Sequence, residues 1–423
     1  MISIFRCMVA VCSSVCLFAA VDAQEVVLDN FSGMGARAMG MGGAYTALSD
    51  DFSGLFWNPA GLARVRRGEV YTAFSYERFR NEAVFFGAPA ENRFSSTRLN
   101  AIGMTVPYPV YRGSLVFAGG YGRTGSFNGG VRIDGYDPVA QFEKTGISED
   151  SGALGAYVAG GAVDVSPGVS LGMAIQRWQG RNQFRQELTR LDTEQAHGDT
   201  VRLYERFTSR DRFSAWGIRG GLLYVNPAGF RFGITVSAPM NFHVRSQMED
   251  EYEDVFEDGV ENYPVEQIED AYALKSPFEF AMGAAWSVGG LTLSGDVQYR
   301  DLQQATYGQL PVATVPHVEN FRTQYRSALR SHLGAEFWVQ NLALRVGYYR
   351  DPIRYVGGGG LADIQVVQDR DVWTVGAGGS LEKAILFDVA AVVGGYRQIE
   401  GGREDHVRTV RVFASMGYLF NVP

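Results

Sequence analysis

The chain's 423 residues carry 38 Lys and Arg against 46 Asp and Glu, a formal net charge of −8 that excludes a nucleic-acid binder. Its three cysteines, Cys7, Cys12 and Cys16, all lie at the start, which excludes a disulfide scaffold, thiol catalysis and cysteine-ligated metal in the rest. No stretch after residue 23 approaches the 18 apolar residues of a membrane helix, yet 52 Gly, 27 Phe and 21 Tyr stand beside only three lysines, Lys144, Lys275 and Lys383.

In chain order, residues 1–23 have the build of a cleavable export signal. Arg6 supplies the positive charge, residues 7–20 are uncharged and mostly apolar, and Val21-Asp22-Ala23 predicts cleavage before Gln24. Residues 24–68 follow, rich in glycine and methionine at first. Asp50-Asp51 predicts the cap of a short helix over 52–57, ended by Pro59, with Asn58 held extended in front of it. Gly33, Gly35, Gly40, Gly42 and Gly43 permit tight turns. Met34, Met39 and Met41 offer adaptable apolar surface, suited either to a flexible ligand or to packing.

From residue 69 onward the pattern alternates with period two. In Leu291–Arg300, Leu291, Leu293, Gly295, Val297 and Tyr299 form one face, and Thr292, Ser294, Asp296, Gln298 and Arg300 the other. The same reading gives fourteen strands, at 69–78, 97–107, 113–122, 152–164, 169–180, 212–224, 229–239, 276–287, 290–301, 328–338, 341–350, 371–381, 384–397 and 407–420. Residues 81–90, with Val84-Phe85-Phe86, are a candidate for an additional hairpin strand. Long links (79–96, 123–151, 181–211, 240–275, 302–327, 351–370, 398–406) alternate with short ones along the chain. That asymmetry is typical of transmembrane barrels, whose turns are short on one side and loops long on the other. Fourteen strands enclose more space than their own side chains fill, and residues 24–68 are long enough to fold back as a plug. Gly155, Gly160, Gly161 and the Gly394-Gly395 pair are candidate bends in the wall.

Lumen-facing charges follow from the alternation: Arg219, Arg231, Glu279, Asp296, Arg300, Arg330, Glu336, Arg345, Asp388 and Arg411. Arg219, Arg231, Arg345 and Arg411 can each hold a ligand carboxylate or pair with a carboxylate on a neighbouring strand. Eleven acids and no Lys or Arg fall within 249–270, and setting them aside turns the net charge of −8 into +3. This stretch reads as a solvated surface loop, able to bind divalent cations that bridge lipopolysaccharide. His197, His243, His317, His332 and His406 are scattered and no hydrolase or zinc motif occurs, so no enzyme and no cofactor are expected.

Gly35-Ala36-Arg37-Ala38-Met39-Gly40-Met41-Gly42-Gly43-Ala44, then Ser49-Asp50-Asp51 and Asn58-Pro59-Ala60-Gly61-Leu62, resemble the N-terminal signature of the FadL family of outer-membrane transport proteins. The tetrapeptide recurs as Asn226-Pro227-Ala228-Gly229 in a short link, so its context carries the resemblance. The resemblance implies an all-β, 14-stranded antiparallel barrel (69–423) in the outer membrane of a Gram-negative bacterium. An N-terminal hatch (24–68) with short helices closes it, with the N-terminus periplasmic and the long loops extracellular. It implies passive uptake of hydrophobic or amphipathic small molecules, of long-chain fatty acid or hydrocarbon type, with release through the barrel wall. It marks Gly40, Gly42, Gly43, Asn58, Pro59, Ala60 and Gly61 as hatch residues. Met34, Met39, Met41 and Phe52 become ligand contacts beside the four arginines. A related barrel with the same signature, the PorV type of the type IX secretion system, handles exported proteins, and secretion partners replace the small ligand in that alternative. A monomer surrounded by outer-membrane lipid and lipopolysaccharide is expected.

Overall fold

A computed structural model of the chain describes residues 31–309, 321–356 and 364–421. The expected export signal and His317 lie outside the described residues. Strand segments follow in order as β1 (Gly68–Phe85), β2 (Ala88–Tyr108), β3 (Leu115–Ser126), β4 (Gly129–Asp137), β5 (Phe142–Ser166), β6 (Val169–Leu191) and β7 (Thr200–Val225). Next come β8 (Phe230–Ser237), β9 (Asn241–Phe256), β10 (Gly259–Asn262), β11 (Glu266–Lys275), β12 (Glu279–Val288), β13 (Leu291–Arg300) and β14 (Thr306–Gln309). The last five are β15 (Ala328–Val339), β16 (Leu342–Asp351), β17 (Gln365–Leu381), β18 (Ile385–Glu400) and β19 (Arg403–Phe420).

Each strand pairs antiparallel with its neighbours, and β19 closes on β1 from Gly68↔Phe420 to Phe85↔Arg403. The wall is a closed barrel of fourteen strands, with β4, β9, β10, β11 and β14 added beyond it on the side of the long links. The β1–β19 pairing leaves the wall no free end strand, as a membrane-spanning sheet requires. Side chains alternate as the sequence indicates. Val297 and Tyr299 are exposed on the outside, while Ser294 and Asp296 are buried towards the lumen.

Where the sequence suggested long loops, much of the chain is strand. β1 and β2 run on through 79–96 as one hairpin with a two-residue turn at Phe86-Gly87, so 81–90 extends two wall strands rather than adding another. β5, with 25 residues, is roughly 80 Å long at about 3.3 Å per residue, well beyond a bilayer's apolar core of about 30 Å. The acidic stretch is likewise a sheet extension of β9, β10 and β11 rather than a loop. β7 neutralises part of it across the ladder, where Arg202, Arg206 and Arg210 pair with Glu253, Glu251 and Glu249. Opposite charges on facing strands allow so acidic a segment to be sheet.

The irregularities of the wall fall at some of the candidate glycines and also elsewhere. Gly155 adjoins the register shift of the β3–β5 ladder between Arg123 and Gly125, and Gly395 adjoins one between Gln368 and Asp371, whereas the β3–β5 and β5–β6 ladders pass through Gly160 and Gly161 without a shift. Three adjacent strand pairs are interrupted at one level: β8/β9 at Ala238-Pro239-Met240, β11/β12 at Ser276-Pro277-Phe278, and β13/β14 at 301–305. Proline cannot donate to a ladder, so the two prolines enforce the first two breaks. Ser276 N donates to Met240 O (2.8 Å) and Met240 N to Ser276 Oγ (2.9 Å), which bridges them.

The lumen is filled by residues 31–67. They contain helix α1 (Ala36–Gly40) and two 3-10 turns, Phe52–Leu55 and Pro59–Arg64. Asp51 caps the first turn by accepting from Ser53 N (2.8 Å), as its position predicts. Pro59 opens a second turn rather than merely ending the first. Asn58, extended at φ −145° and ψ 105°, accepts from Ala60 N (3.1 Å) and starts that turn.

Candidate functional site

The contact between this N-terminal segment and the wall is polar and specific. Arg37 donates to Glu336 through Nε (3.0 Å) and Nη2 (3.1 Å) and pairs with Asp50 (2.6 Å). Glu336 also accepts from Arg345 Nε (2.7 Å), whose other arm reaches Asp388 (2.7 Å). Asp296 has no cation partner among the described residues. One of its oxygens instead accepts from Tyr45 N (2.8 Å) and Thr46 N (2.7 Å). Asn58 donates to Thr46 O (2.8 Å) within the segment and to Leu222 O (3.1 Å) in β7.

The marked glycines sit at points of close approach. Thr374 of β17 donates to Gly40 O and accepts from Gly42 N, both at 3.1 Å, and His332 Nδ1 donates to Gly42 O (2.7 Å). His332 is thus a packing residue of the wall. Gly42 and Gly43 have φ of +64° and +74°, a conformation that favours glycine. At Gly61 a Cβ would overlap the Ser49 carbonyl. Gly61→Ala is therefore expected to cost about 1–3 kcal/mol by overpacking. The check is a lower urea midpoint in micelles together with faster proteolysis inside 31–64 than inside the strands.

The four candidate arginines all point inward, and each has a carboxylate partner. Arg219 pairs with Glu279 (2.8 Å) and donates to Phe56 O, Arg231 reaches Asp50 (3.5 Å), and Arg411 holds Glu77 (2.8 Å) and Phe31 O (3.2 Å). Arg345 is shared between Glu336 and Asp388, as above. Met39, Met41 and Phe52 are fully buried in packing contacts, with Phe52 tilted against Tyr71 at 5.6 Å. Met34 is buried too, but lines a cavity.

Among the described residues, two cavities lie between segment and wall. The larger, about 300 Å³, is lined by Phe79, Phe127, Tyr349, Val372, Tyr396 and Arg411 among others. The smaller, about 110 Å³, is lined by Met34, Phe56, Trp57, Leu154, Trp178 and Arg219. Phe31 lines both. Its ring meets Trp57, His332 and Tyr349 edge-on at 6.0, 5.8 and 5.7 Å and lies under the Arg330 guanidinium at 4.4 Å. Arg330 is legible in the sequence as a lumen-facing charge, but Phe31 and the contact between them are not, because their meeting depends on the segment's path through the lumen.

Beside Phe31 the wall changes character. β2 and β3 pair from Tyr108↔Leu115 to Ala101↔Gly122 and no further. Asn100 is an extra residue in β2, skipped by the ladder with β1. It is buried and donates to Arg123 O (3.0 Å) and Gly33 O (3.4 Å) while accepting from Gly35 N (3.2 Å). Ser32 N donates to Thr124 O (2.8 Å), where the β3–β5 ladder shifts register. Above this point side chains hold the seam: Asn128 donates to Ser96 Oγ (3.0 Å) and Glu77 (2.9 Å), and Arg98 to Gly152 O (2.8 Å) and Asn128 Oδ1 (3.2 Å). A seam of side-chain bonds can part without unzipping a backbone ladder.

No family model and no curated protein matches the chain. Among solved structures it is similar to a Pseudomonas aeruginosa FadL homologue (TM-score 0.66, 12% identity, 93% of this chain and 100% of that one). It is also similar to the Pseudomonas putida toluene transporter TodX (0.63, 13%, 92% and 99%) and to the monoaromatic hydrocarbon channel CymD (0.59, 14%, 93% and 99%). What the chain shares with these proteins is the fold, a fourteen-stranded barrel of the FadL type.

Proposed function

We propose that the chain is an outer-membrane channel for passive uptake of hydrophobic or amphipathic small molecules, with residues 31–67 acting as its hatch. The observation that carries this reading is the pair of aromatic-lined cavities that meet at Phe31 beside the side-chain seam between β2 and β3. A passenger would enter from the side of the long hairpins, rest in the larger cavity, and leave sideways at the seam into the membrane. That route keeps apolar surface out of water, at about 25 cal/mol per Å². Arg370, Arg403 and Arg411 line the larger cavity and Arg219 the smaller, so an acidic head would meet guanidinium groups there. The similar barrels named as toluene and hydrocarbon transporters support the substrate class.

The test is flux into proteoliposomes of a neutral aromatic, a long-chain carboxylate and a sugar of similar size. The apolar solutes are expected to enter faster than into protein-free vesicles, and the sugar at the background rate. Sugar flux alone, or no flux of either apolar solute, would overturn the reading.

A further inference from the structure

Just beyond the breaks at Pro239 and Pro277 the wall has a distinctive outer face. On that face lies a groove of about 520 Å³ lined by Arg212, Ser214, His243, Arg245 and Ala271. Register sets Arg181 of β6 opposite Arg212 of β7, and Arg212 opposite Arg245 of β9. All three are exposed and on the outer face. Facing like charges on adjacent strands repel, and among the described residues none of the three has a carboxylate partner. Arginines farther out on the same hairpins behave otherwise: Arg185, Arg202, Arg206 and Arg210 are each paired with a glutamate. An uncompensated cationic row amid compensated neighbours calls for an external anion.

What lies beneath the row identifies that anion. Trp216 is 65% exposed four residues below Arg212, with the Arg177 guanidinium 5.3 Å over its ring. Below it β6 and β7 present Met173, Ile175 and Ile218, and Phe278 and Phe280 stack at 6.0 Å on the adjoining wall. An exposed tryptophan above apolar side chains marks a membrane interface. Four residues of strand rise about 13 Å, which sets the row at headgroup height on the side of the long hairpins. Arginine suits phosphate because its fork donates two parallel hydrogen bonds.

We propose that Arg181, Arg212 and Arg245, with His243 at the lower rim of the groove, bind the phosphates of an acylated, phosphorylated glycolipid of the outer leaflet. Its acyl chains lie on the apolar wall below. The site rests on the barrel's membrane placement and is independent of what passes through the lumen.

Native mass spectrometry of the full barrel in uncharged detergent, titrated with purified lipopolysaccharide, tests it. Replacing all three arginines (Arg181→Gln, Arg212→Gln, Arg245→Gln) is expected to weaken retention at least about tenfold, as lost charge-assisted bonds imply. The paired set (Arg185→Gln, Arg206→Gln, Arg210→Gln) should leave it nearly unchanged. Dephosphorylated glycolipid should bind wild type as weakly as intact glycolipid binds the first variant, and inorganic phosphate should not compete. Equal retention by wild type and the first variant, or displacement by inorganic phosphate, would overturn the site. Apolar solute flux through the first variant should equal wild type, which separates failure of this site from failure of the channel reading.

Discussion

Deleting residues 31–64 is expected to convert a closed barrel into an open, ion-conducting pore. Barrels of eight strands are filled by their own side chains, and those of sixteen to eighteen leave an aqueous channel. A fourteen-stranded wall falls near the wide end, and with the segment in place the cavities beside it hold about 300 and 110 Å³. The wall does not need the segment to close, because the β1–β19 ladder is continuous over both full strands. Carboxylates that lose partners, such as Asp296 and Glu69, would face lumen water and be solvated. The deletion variant should therefore assemble, show conductance steps in planar bilayers, and pass sugars into liposomes, while wild type stays silent. An assembled but non-conducting deletion variant would show that something other than this segment seals the lumen.

The second large effect is expected from Glu336→Ala. Glu336 is the junction between Arg37 of the segment and Arg345 of the wall, and the Glu336 and Arg345 side chains are only 3% and 1% exposed. Arg37 keeps Asp50 and Arg345 keeps Asp388, but the guanidinium arms that faced Glu336 lose buried charge-assisted bonds, a loss of about 1–3 kcal/mol. Arg206→Ala provides the contrast: its pair with Glu251 lies on an outer hairpin with the arginine 45% exposed, where such pairs contribute about 0–1 kcal/mol. Urea midpoints in micelles at equal m-value should fall steeply for the first and hardly move for the second. Equal shifts would mean that the lumenal pairs are solvated and do not fasten the segment.

Strand number and facing were legible because lipid and lumen impose opposite chemistry on alternate residues, as Leu291–Arg300 shows. The hairpin extensions were not, because beyond the membrane both faces meet water. Arg80 with Glu91 and Arg202 with Glu253 then look like loop residues. The caps at Asp51 and Asn58 were readable as local chemistry, but the direction of the chain after Asn58 was not, since proline serves equally after one turn and at the start of the next. For the arginines the choice between ligand and partner depended on register. Arg345 faces Glu336 directly across β15 and β16, while Asp388 lies two strands away. Asn100 reads as an ordinary strand residue until two neighbours show that the ladder skips it.

The central claim is that a passenger leaves through the seam between β2 and β3, and a reversible lock across it tests that most directly. Ser96 Oγ and Asn128 Nδ2 are 3.0 Å apart on its two sides, and no cysteine follows Cys16, so with Cys7, Cys12 and Cys16 removed with the expected signal or replaced by serine, Ser96→Cys with Asn128→Cys introduces one unique pair. In proteoliposomes the oxidised form should lose apolar solute uptake, and reductant should restore it in the same sample. Uptake that is unchanged by oxidation, with the disulfide shown to be formed, would contradict the lateral route.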